Sequence, residues 1–454
     1  MSAADPRPAD LRIAGGTLVT HEAEFRADLL VRDGRIAAIL GPGTLALARE
    51  TIDAAGLHVL PGAIDVHVHL REPGFAWKET WASGTKSAAA GGVTTVFEMP
   101  NTDPATATPE AVAAKIAHAQ PQAHVDFGVY GLFAESTLPM LAEMRAAGAV
   151  AFKLFLGSDN PRTPCPNDGA VLDGLETLAA IGLRTTIHAE NTPILKWREA
   201  QQKARGRRDL AAHNAMHPDI ATVEAVCRAA LFAEWTGAKI HIAHESCRHS
   251  IPWIAHAKAR GVDITAETCP HYLLLSTDDQ ARLPGNFLRV KPPIREPGHA
   301  EPLWRALLDG TIDMISTDHA PHLPREKQVA SIWDAAAGFP GVQTSMPLML
   351  AAVSAGRMRL ADYVRRAAFN PARAFGLLPR EGILAPGADA DIVLVDMARR
   401  GVVRAEALHS PGNATPFEGF PLHGLPVRTL VRGRTVALEG RALDAAGWGR
   451  NVAA

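Results

Sequence analysis

The chain has 454 residues, of which 47% are hydrophobic and 21% charged, and its formal net charge at pH 7 is −2. This is the composition of a globular protein with room for more than one domain. A nearly neutral chain has no electrostatic attraction for a polyanion, so no nucleic-acid partner is expected. Because no uncharged apolar run reaches about 18 residues, no membrane partner is expected either.

The first 60 residues predict short strands rather than helices. Two apolar stretches, 11–20 and 27–40, are rich in β-branched residues, and Asp33-Gly34 within the second is a hairpin signal. Residues 1–10 are polar and proline-rich and lack the apolar run of a secretory signal.

The middle of the chain alternates between apolar strand-like runs and alanine-rich, helix-compatible segments. The predicted strands are Ile64–Leu70, Val93–Pro100, Val125–Phe133, Ala149–Leu156, Leu183–Glu190, Lys239–Ser246, Val262–Cys269 and Thr311–Asp318. The clearest predicted helices are Glu110–Ala119, Leu172–Ile181 and Thr222–Trp235. Eight alternations predict a (β/α)8 TIM-type barrel. A doubly wound open sheet is the alternative, but it usually carries a Gly-rich phosphate-binding turn after its first strand, which this sequence lacks.

Strands return near the C-terminus, at 391–396 and 427–437, with a turn at Gly433. Two β-rich flanks predict a small β-sandwich built from both chain ends, with seams near Pro61-Gly62 and Pro379. The predicted division is residues 1–60 and 379–454 for the sandwich and residues 61–378 for the barrel.

Six residues whose side chains can bind a metal directly or after modification lie at the ends of the predicted barrel strands: His67, His69, Lys153, His188, His244 and Asp318. Since side chains alternate along a strand, the two histidines of the first strand point the same way, into the C-terminal mouth where barrel enzymes have their active sites. A single strand histidine is usually a satisfied core residue, and a single aspartate there could be a helix N-cap. Six such residues at the same end of different strands favour a metal centre.

Lys153 lies among apolar neighbours, where an ammonium group is unfavourable and would be repelled by a nearby metal ion. A lysine of lowered pKa reacts with carbon dioxide, and the resulting carbamate would be an anion able to bridge two metals. The four cysteines are scattered, without a CxxC pair, which predicts reduced thiols in a cytoplasmic protein. Nitrogen and oxygen ligands without thiolate suit two Zn²⁺ ions, with Mn²⁺ or Co²⁺ as substitutes, sharing a hydroxide that attacks a carbonyl.

In its motifs the sequence resembles the branch of the amidohydrolase superfamily that contains dihydroorotase, allantoinase and dihydropyrimidinase. The motifs that carry the resemblance cover nearly the whole chain and lie at Pro61–Gly74, Phe152–Gly157, Ile187–Asn191, His241–Ser246, Thr268–Leu273, Lys291–Arg295, Ser316–His322 and Gly387–Asp396. The resemblance implies a first metal held by His67, His69, Lys153 and Asp318. It implies a second held by Lys153, His188 and His244, with Asp318 also acting as the catalytic proton shuttle.

The resemblance also implies a substrate. Arg71, Asn101 and His322 occupy the motif positions of a carboxylate clamp in dihydroorotases, which implies reversible hydrolysis of L-dihydroorotate to N-carbamoyl-L-aspartate in pyrimidine synthesis. Allantoinase or hydantoinase/dihydropyrimidinase activity is the alternative. It is favoured by Lys291, where dihydroorotases usually have Asn, and by segments 197–217 and 332–343. A catalytically silent scaffold subunit is a further alternative, although no metal ligand is missing. A homodimer or homotetramer is expected from the family.

Overall fold

The structure is a computed structural model and describes residues 8–158 and 160–453; residues 1–7, Asp159 and Ala454 lie outside the described residues. The N-terminal strands are β1 (Ala9–Ala14), β2 (Thr17–Val19), β3 (Glu24–Arg26), β4 (Asp28–Arg32), β5 (Arg35–Leu40), β6 (Ala48–Asp53) and β7 (His58–Pro61). The central strands are β8 (Ala63–Val68), β9 (Val93–Glu98), β10 (Asp126–Phe133), β11 (Ala149–Phe155), β12 (Arg184–His188), β13 (Lys239–Ile242), β14 (Ile264–Thr268) and β15 (Met314–Ile315). The C-terminal strands are β16 (Ile392–Val402), β17 (Pro421–Val431), β18 (Arg434–Leu438) and β19 (Arg441–Ala442).

Most helices follow the central strands in alternation. They are α1 (Trp81–Ala90), α2 (Pro109–Ala119), α3 (Leu141–Ala146), α4 (Asp168–Ile181), α5 (Thr192–Ala204), α6 (Leu210–Met216), α7 (Asp219–Thr236), α8 (Ile251–Ala259), α9 (Pro270–Leu274), α10 (Ala300–Asp309), α11 (Pro324–Lys327), α12 (Val342–Ser354), α13 (Leu360–Val364) and α14 (Asn370–Ala374). Short 3-10 helices cover Glu135–Met140, Thr277–Arg282 and Ala405–Ala407, and a π-helical turn covers Arg365–Phe369.

The eight central strands form one parallel sheet in which each strand pairs with the next, from β8 to β15. A backbone bridge between Val68 and His319 brings the two edge strands together, and the His69 N–H donates to the His319 carbonyl at 2.7 Å. The predicted TIM-type barrel is confirmed, with one strand in each of the eight predicted runs.

Three barrel strands end earlier than the apolar pattern predicts. Strands β8, β13 and β15 stop two or three residues before Arg71, His244 and Asp318. These three residues have φ values of 64°, 39° and 46°, in the left-handed region that an extended strand excludes. The loops that follow these three strands therefore carry a candidate site residue within their first three positions.

Local signals in the sequence fix the ends of the barrel helices. Before α2, the Thr108 hydroxyl accepts a hydrogen bond from the Ala111 N–H, and Pro109 occupies the first turn. Before α4, the Asn167 side-chain oxygen accepts from the Ala170 N–H at 3.0 Å. Gly182 ends α4 with a φ of 73°, a conformation that side chains other than glycine rarely adopt.

Both chain ends contribute to a separate β structure. One sheet has the order β5-β4-β1-β6, and the other has the order β19-β18-β17-β16-β7-β2-β3. Buried residues of both sheets, such as Ile13 and Leu394, belong to one hydrophobic cluster. The predicted Asp33-Gly34 turn joins β4 to β5. Strand β7 ends one residue before Gly62 and β8 begins one residue after it, while the division at 60/61 and 378/379 stays a prediction.

The barrel core lies between strands and helices, where Leu154, Leu175 and Val226 pack in one buried cluster. No helix in residues 8–158 and 160–453 has the length and apolar character needed to cross a membrane. The four cysteines form no disulfide with one another. The inside of the barrel mouth, in contrast, is polar.

Candidate active site

One small cavity at the C-terminal mouth of the barrel contains every predicted metal ligand. Its lining includes His67, His69, Lys153, His188, His244 and Asp318. Its volume is about 160 Å³, below the ~300–1,000 Å³ of drug-sized pockets, so it suits a small ring compound. A larger cleft of about 820 Å³ lies at the opposite end of the barrel, but none of these six residues is among those described as lining it.

His67, His69 and Asp318 form the first half of the site. The Asp318 Oδ1 atom lies 3.3 Å from His67 Nε2 and 3.0 Å from His69 Nε2. One ligand atom from each of the three lies within 4.8 Å of the others. Three donor atoms at this separation can share one metal ion of the zinc type.

Neighbouring acceptors fix the tautomers of the first two histidines. His67 Nδ1–H donates to Glu267 Oε1 at 2.5 Å, and His69 Nδ1–H donates to Asn101 Oδ1 at 2.7 Å. Both Nε2 atoms face Asp318 Oδ1, and in this tautomer their lone pairs can bind a metal ion placed between the three groups. A histidine that gives its other N–H to a protein acceptor is the usual arrangement of a metal ligand.

His188 and His244 form the second half of the site, with His188 Nδ1 lying 2.9 Å from His244 Nε2. His188 Nε2–H donates to Glu190 Oε2 at 3.0 Å, and the other oxygen of this carboxylate accepts from His217 Nδ1 at 2.7 Å. The His188 tautomer thus directs its Nδ1 lone pair at the same point as His244 Nε2. Burial holds the pKa of His244 well below its ordinary value, so its imidazole is neutral, as a ligand must be.

Glu267 supports both halves of the site. Besides the bond from His67, it accepts from the His244 backbone N–H at 3.0 Å, from His241 Nε2–H at 3.0 Å and from the Ser316 hydroxyl. Burial alone would raise the pKa of Glu267, but the two imidazoles hold it well below its usual range. Glu267 is therefore ionised although it is fully buried, because His67 and His241, which it orients, stabilise its charge.

Lys153 lies between the two halves, and its Nζ atom is buried without a hydrogen-bond partner in the described part of the chain. Burial lowers the pKa of Lys153 to about 8, opposed by the charges of Glu267 and Asp318. The Phe155 ring lies 5.4 Å from the same nitrogen. A buried, unpaired amine of lowered pKa is nucleophilic and can form a carbamate with carbon dioxide. The carbamate would add a negative charge to a site whose four imidazoles, when neutral, contribute none.

The backbone around the site is held by a buried carboxylate. Asp65 accepts from the Thr317 hydroxyl at 2.5 Å and from the backbone N–H groups of His67 and Thr317. It thereby ties the end of β8 to the residue before Asp318, which has its left-handed φ of 46°. Strained backbone of this kind persists only where surrounding bonds over-determine it, and it is concentrated at functional sites.

The three residues of the predicted carboxylate clamp lie at the cavity or directly beside it. Arg71 and Asn101 line the cavity, whereas His322 is not among the described lining residues. His322 lies behind Arg71, with Nε2 at 3.1 Å from Arg71 Nη2, and accepts from Lys78 Nζ through Nδ1 at 3.1 Å. Its Nε2–H can donate to the Ala337 carbonyl at 3.0 Å. Burial and the neighbouring Arg71 charge lower the pKa of His322 to about 3, so the ring is neutral.

Sequence reasoning named the six candidate ligands that line the cavity but missed the carboxylates behind them. Glu267 lies within the seventh predicted strand, and Glu190 lies two residues after His188. An acidic residue within an otherwise apolar predicted strand was the signal that could have identified both carboxylates. Lys291, noted as a departure from the dihydroorotase pattern, lines the cavity, as do Ala337 and Gly338 from segment 332–343.

Comparison with known proteins gives matches over nearly the whole chain. A family model described as the amidohydrolase family matches residues 58–436. An allantoinase of Rubrobacter xylanophilus is 38% identical over 96% of this chain and 96% of that protein. A dihydroorotase of Halobacterium salinarum is 40% identical over 94% of this chain and 98% of that protein. The structure of L-hydantoinase (dihydropyrimidinase) from Arthrobacter aurescens matches with a TM-score of 0.95 and 35% identity, covering 97% of this chain and 99% of that one.

Proposed function

Because the chain belongs to the amidohydrolase family, in its cyclic amidohydrolase branch, we propose that it hydrolyses an amide bond within a small cyclic ureide. The observation that carries the proposal is the convergence of four imidazoles, Lys153 and Asp318 on one cavity of about 160 Å³. We infer that two divalent cations, zinc in the first place, occupy this site.

The residues present fit such a pair of cations. His67, His69 and Asp318 would hold one, and His188 and His244 the other, because in each group the lone pairs converge. The unpartnered Lys153 nitrogen belongs to the same cavity, and its carbamate would supply an anion that could hold both cations. When bound, the cations would supply a water nucleophile of lowered pKa and a Lewis acid for the carbonyl oxygen.

The protein's own contribution to the chemistry centres on Asp318. Its carboxylate is fully ionised, since burial would raise the pKa of Asp318 but the imidazoles of His67 and His69 hold it well below its usual range. We infer that it takes the proton of the attacking water and delivers it to the ring nitrogen as the amide bond breaks. Cleavage then proceeds without a covalent enzyme intermediate.

For the substrate, we propose a five-membered ureide of the hydantoin type, allantoin included. Arg71 and Asn101 line the cavity, whereas the His322 ring is already engaged by Arg71, Lys78 and the Ala337 carbonyl, which is compatible with a ring that carries no carboxylate. An allantoinase and an L-hydantoinase are similar to this chain over almost their full lengths. Lys291 and the wall formed by segment 332–343 also depart from the dihydroorotase pattern.

Dihydroorotate is the second candidate. A dihydroorotase is 40% identical to this chain over 98% of its own length, and one side chain of the cavity also favours this substrate. Arg71 lines the cavity, is half-buried, and has a buried Nε atom without a hydrogen-bond partner in residues 8–158 and 160–453. A guanidinium with free donors matches a ring carboxylate, which hydantoin and allantoin lack. The amide nitrogen of Asn101 remains available beside it, because only Oδ1 is used by His69.

A side-by-side assay separates these functions. Zinc-loaded protein is given hydantoin, allantoin, dihydrouracil and dihydroorotate, with the Asp318→Asn variant as the control for contaminating activity. The proposal expects the highest kcat/KM on hydantoin or allantoin. Preference for dihydroorotate would select the second candidate. Absence of turnover on all four, with no stoichiometric metal, would select the scaffold alternative.

A further inference from the structure

Lys327 is a charged side chain at the cavity's outer wall that the proposed chemistry does not use. It is 0% exposed, and no carboxylate forms an ion pair with it in the part of the chain that the structure describes. Its Nζ atom instead donates to three backbone carbonyls, those of Arg289 at 2.8 Å, Ala336 at 3.2 Å and Gly338 at 2.6 Å. Burying an ammonium is unfavourable unless all of its donors are satisfied, and here three carbonyl dipoles satisfy them.

The three carbonyls come from two different walls of the cavity. Arg289 directly precedes Val290 and Lys291, which line one wall. The other two carbonyls are those of Ala336 and Gly338. They belong to the segment in which Ala337 and Gly338 line a second wall of the cavity. The Gly338 N–H also donates to the Arg289 carbonyl at 2.9 Å. One buried ammonium therefore joins the two walls at the point where their backbones meet.

The second wall has little freedom to adjust on its own. Gly338 has a φ of 118°, and a Cβ atom there would lie 2.6 Å from the Ala320 Cβ. The Ala320 N–H donates to the Phe339 carbonyl at 3.0 Å, and His322 donates to the Ala337 carbonyl on the same side. The wall is thus packed against the residues that follow Asp318, and Lys327 holds its far side.

We propose that Lys327 is a positioning residue that fixes the distance between these two walls and thereby sets which ring substituents the site admits. This inference rests on the proposed function of the same cavity. Lys327 is not among the residues described as lining the cavity and bonds only to backbone carbonyls there, so it acts through the backbone of Val290, Ala337 and Gly338. Its loss should change selectivity among substituted rings more than it changes metal binding.

The test compares Lys327→Met, which keeps the length of the side chain but removes the donors, with wild type. The matched control is Lys258→Met, because Lys258 also holds a backbone carbonyl, that of Gly310 at 3.0 Å, but at the opposite end of the barrel. Each protein is assayed with hydantoin and with hydantoins that carry a methyl or a benzyl group on the ring carbon. The ratio of kcat/KM between bulky and unsubstituted rings should shift at least about 10-fold in Lys327→Met, since small misplacements of a bound substrate have effects of this order, and should stay unchanged in Lys258→Met.

An unchanged ratio in folded, metal-loaded Lys327→Met would overturn the inference. If that variant does not fold, Lys327→Gln replaces it: the shorter amide cannot reach all three carbonyls, so the ratio should shift in the same direction, and an unchanged ratio would likewise overturn the inference. Hydrogen exchange of the Gly338 amide gives a readout that does not need turnover. Faster exchange in the Lys327 variant but not in the control supports the inference even if wild type hydrolyses no ureide, in which case only the proposed function fails. Equal exchange in all three proteins counts against it.

Discussion

Replacing Glu267 by Gln should weaken metal binding in both halves of the site. The change keeps the size of the side chain and removes its charge. Four donors point at this carboxylate, and an amide presents an NH₂ group to two of them. His241 can adapt by changing its tautomer, but His67 must keep its Nδ1 proton so that Nε2 faces the metal. The amide therefore turns its NH₂ group toward His241, and His67 and the His244 backbone then donate to a neutral oxygen in place of a charged one.

The size of the effect follows from the environment of the carboxylate. Glu267 is 0% exposed, so solvent does not screen its charge. Loss of an outer partner of a metal-bound histidine commonly lowers metal affinity about 10- to 100-fold. Because this one carboxylate orients two of the ligand-bearing residues, we expect the upper half of that range, or about 2–3 kcal/mol at 1.36 kcal/mol per tenfold change.

The assay is a competition between the protein and a chromogenic chelator for zinc, with bound metal counted by elemental analysis and folding followed by circular dichroism. Glu234→Gln is the matched control, because Glu234 pairs with Arg260 on the surface, away from the cavity. Its metal affinity should equal that of wild type. If folded Glu267→Gln binds both metals as tightly as wild type, the view that this carboxylate organises the site is incorrect.

Three further predictions concern the cavity itself. Lys153→Gln should lose the second metal and nearly all turnover, and intact wild-type protein should show the mass of one added carbon dioxide by gentle mass spectrometry; plain lysine beside two bound metals would contradict the bridging carbamate. Asp318→Asn should lower kcat by about 10²–10⁴-fold, the usual contribution of a positioned acid–base group, and a substantial residual rate at saturating metal would argue against the proton shuttle. Arg71→Met should raise KM for dihydroorotate while leaving KM for hydantoin nearly unchanged, and equal changes for both substrates would show that Arg71 does not select a carboxylate.

The eight barrel strands, and the meeting of the six candidate ligands in one cavity, could be predicted because both depend on short-range pattern. Apolar runs alternate with helical segments, and His67 and His69 share a strand face through simple alternation. The strand ends could not be predicted from the same pattern. At Ile315 the chain leaves the sheet because the side chains of Ser316 and Thr317 bond to Glu267 and Asp65, and Asp318 then turns left-handed.

The carboxylates behind the histidines were missed for a related reason. Glu267 lies 200 residues from His67 in the chain, and only the closed barrel brings the two together at 2.5 Å. The position of His322 is a second example. Its motif implied contact with the substrate, which stays a prediction, but it did not indicate that Lys78, 244 residues away, and the Ala337 carbonyl hold the ring beside Arg71. Substrate identity depends on such placements, so the reaction class is more readily inferred from sequence than the substrate.

Anomalous diffraction from crystals of the zinc-loaded protein, combined with metal analysis, tests the central claim most directly. The account predicts two zinc ions per chain, one between His67, His69 and Asp318 and one between His188 and His244, with density for a bridging group on Lys153. A protein that takes up no stoichiometric zinc, or that binds it away from these side chains, would contradict the account.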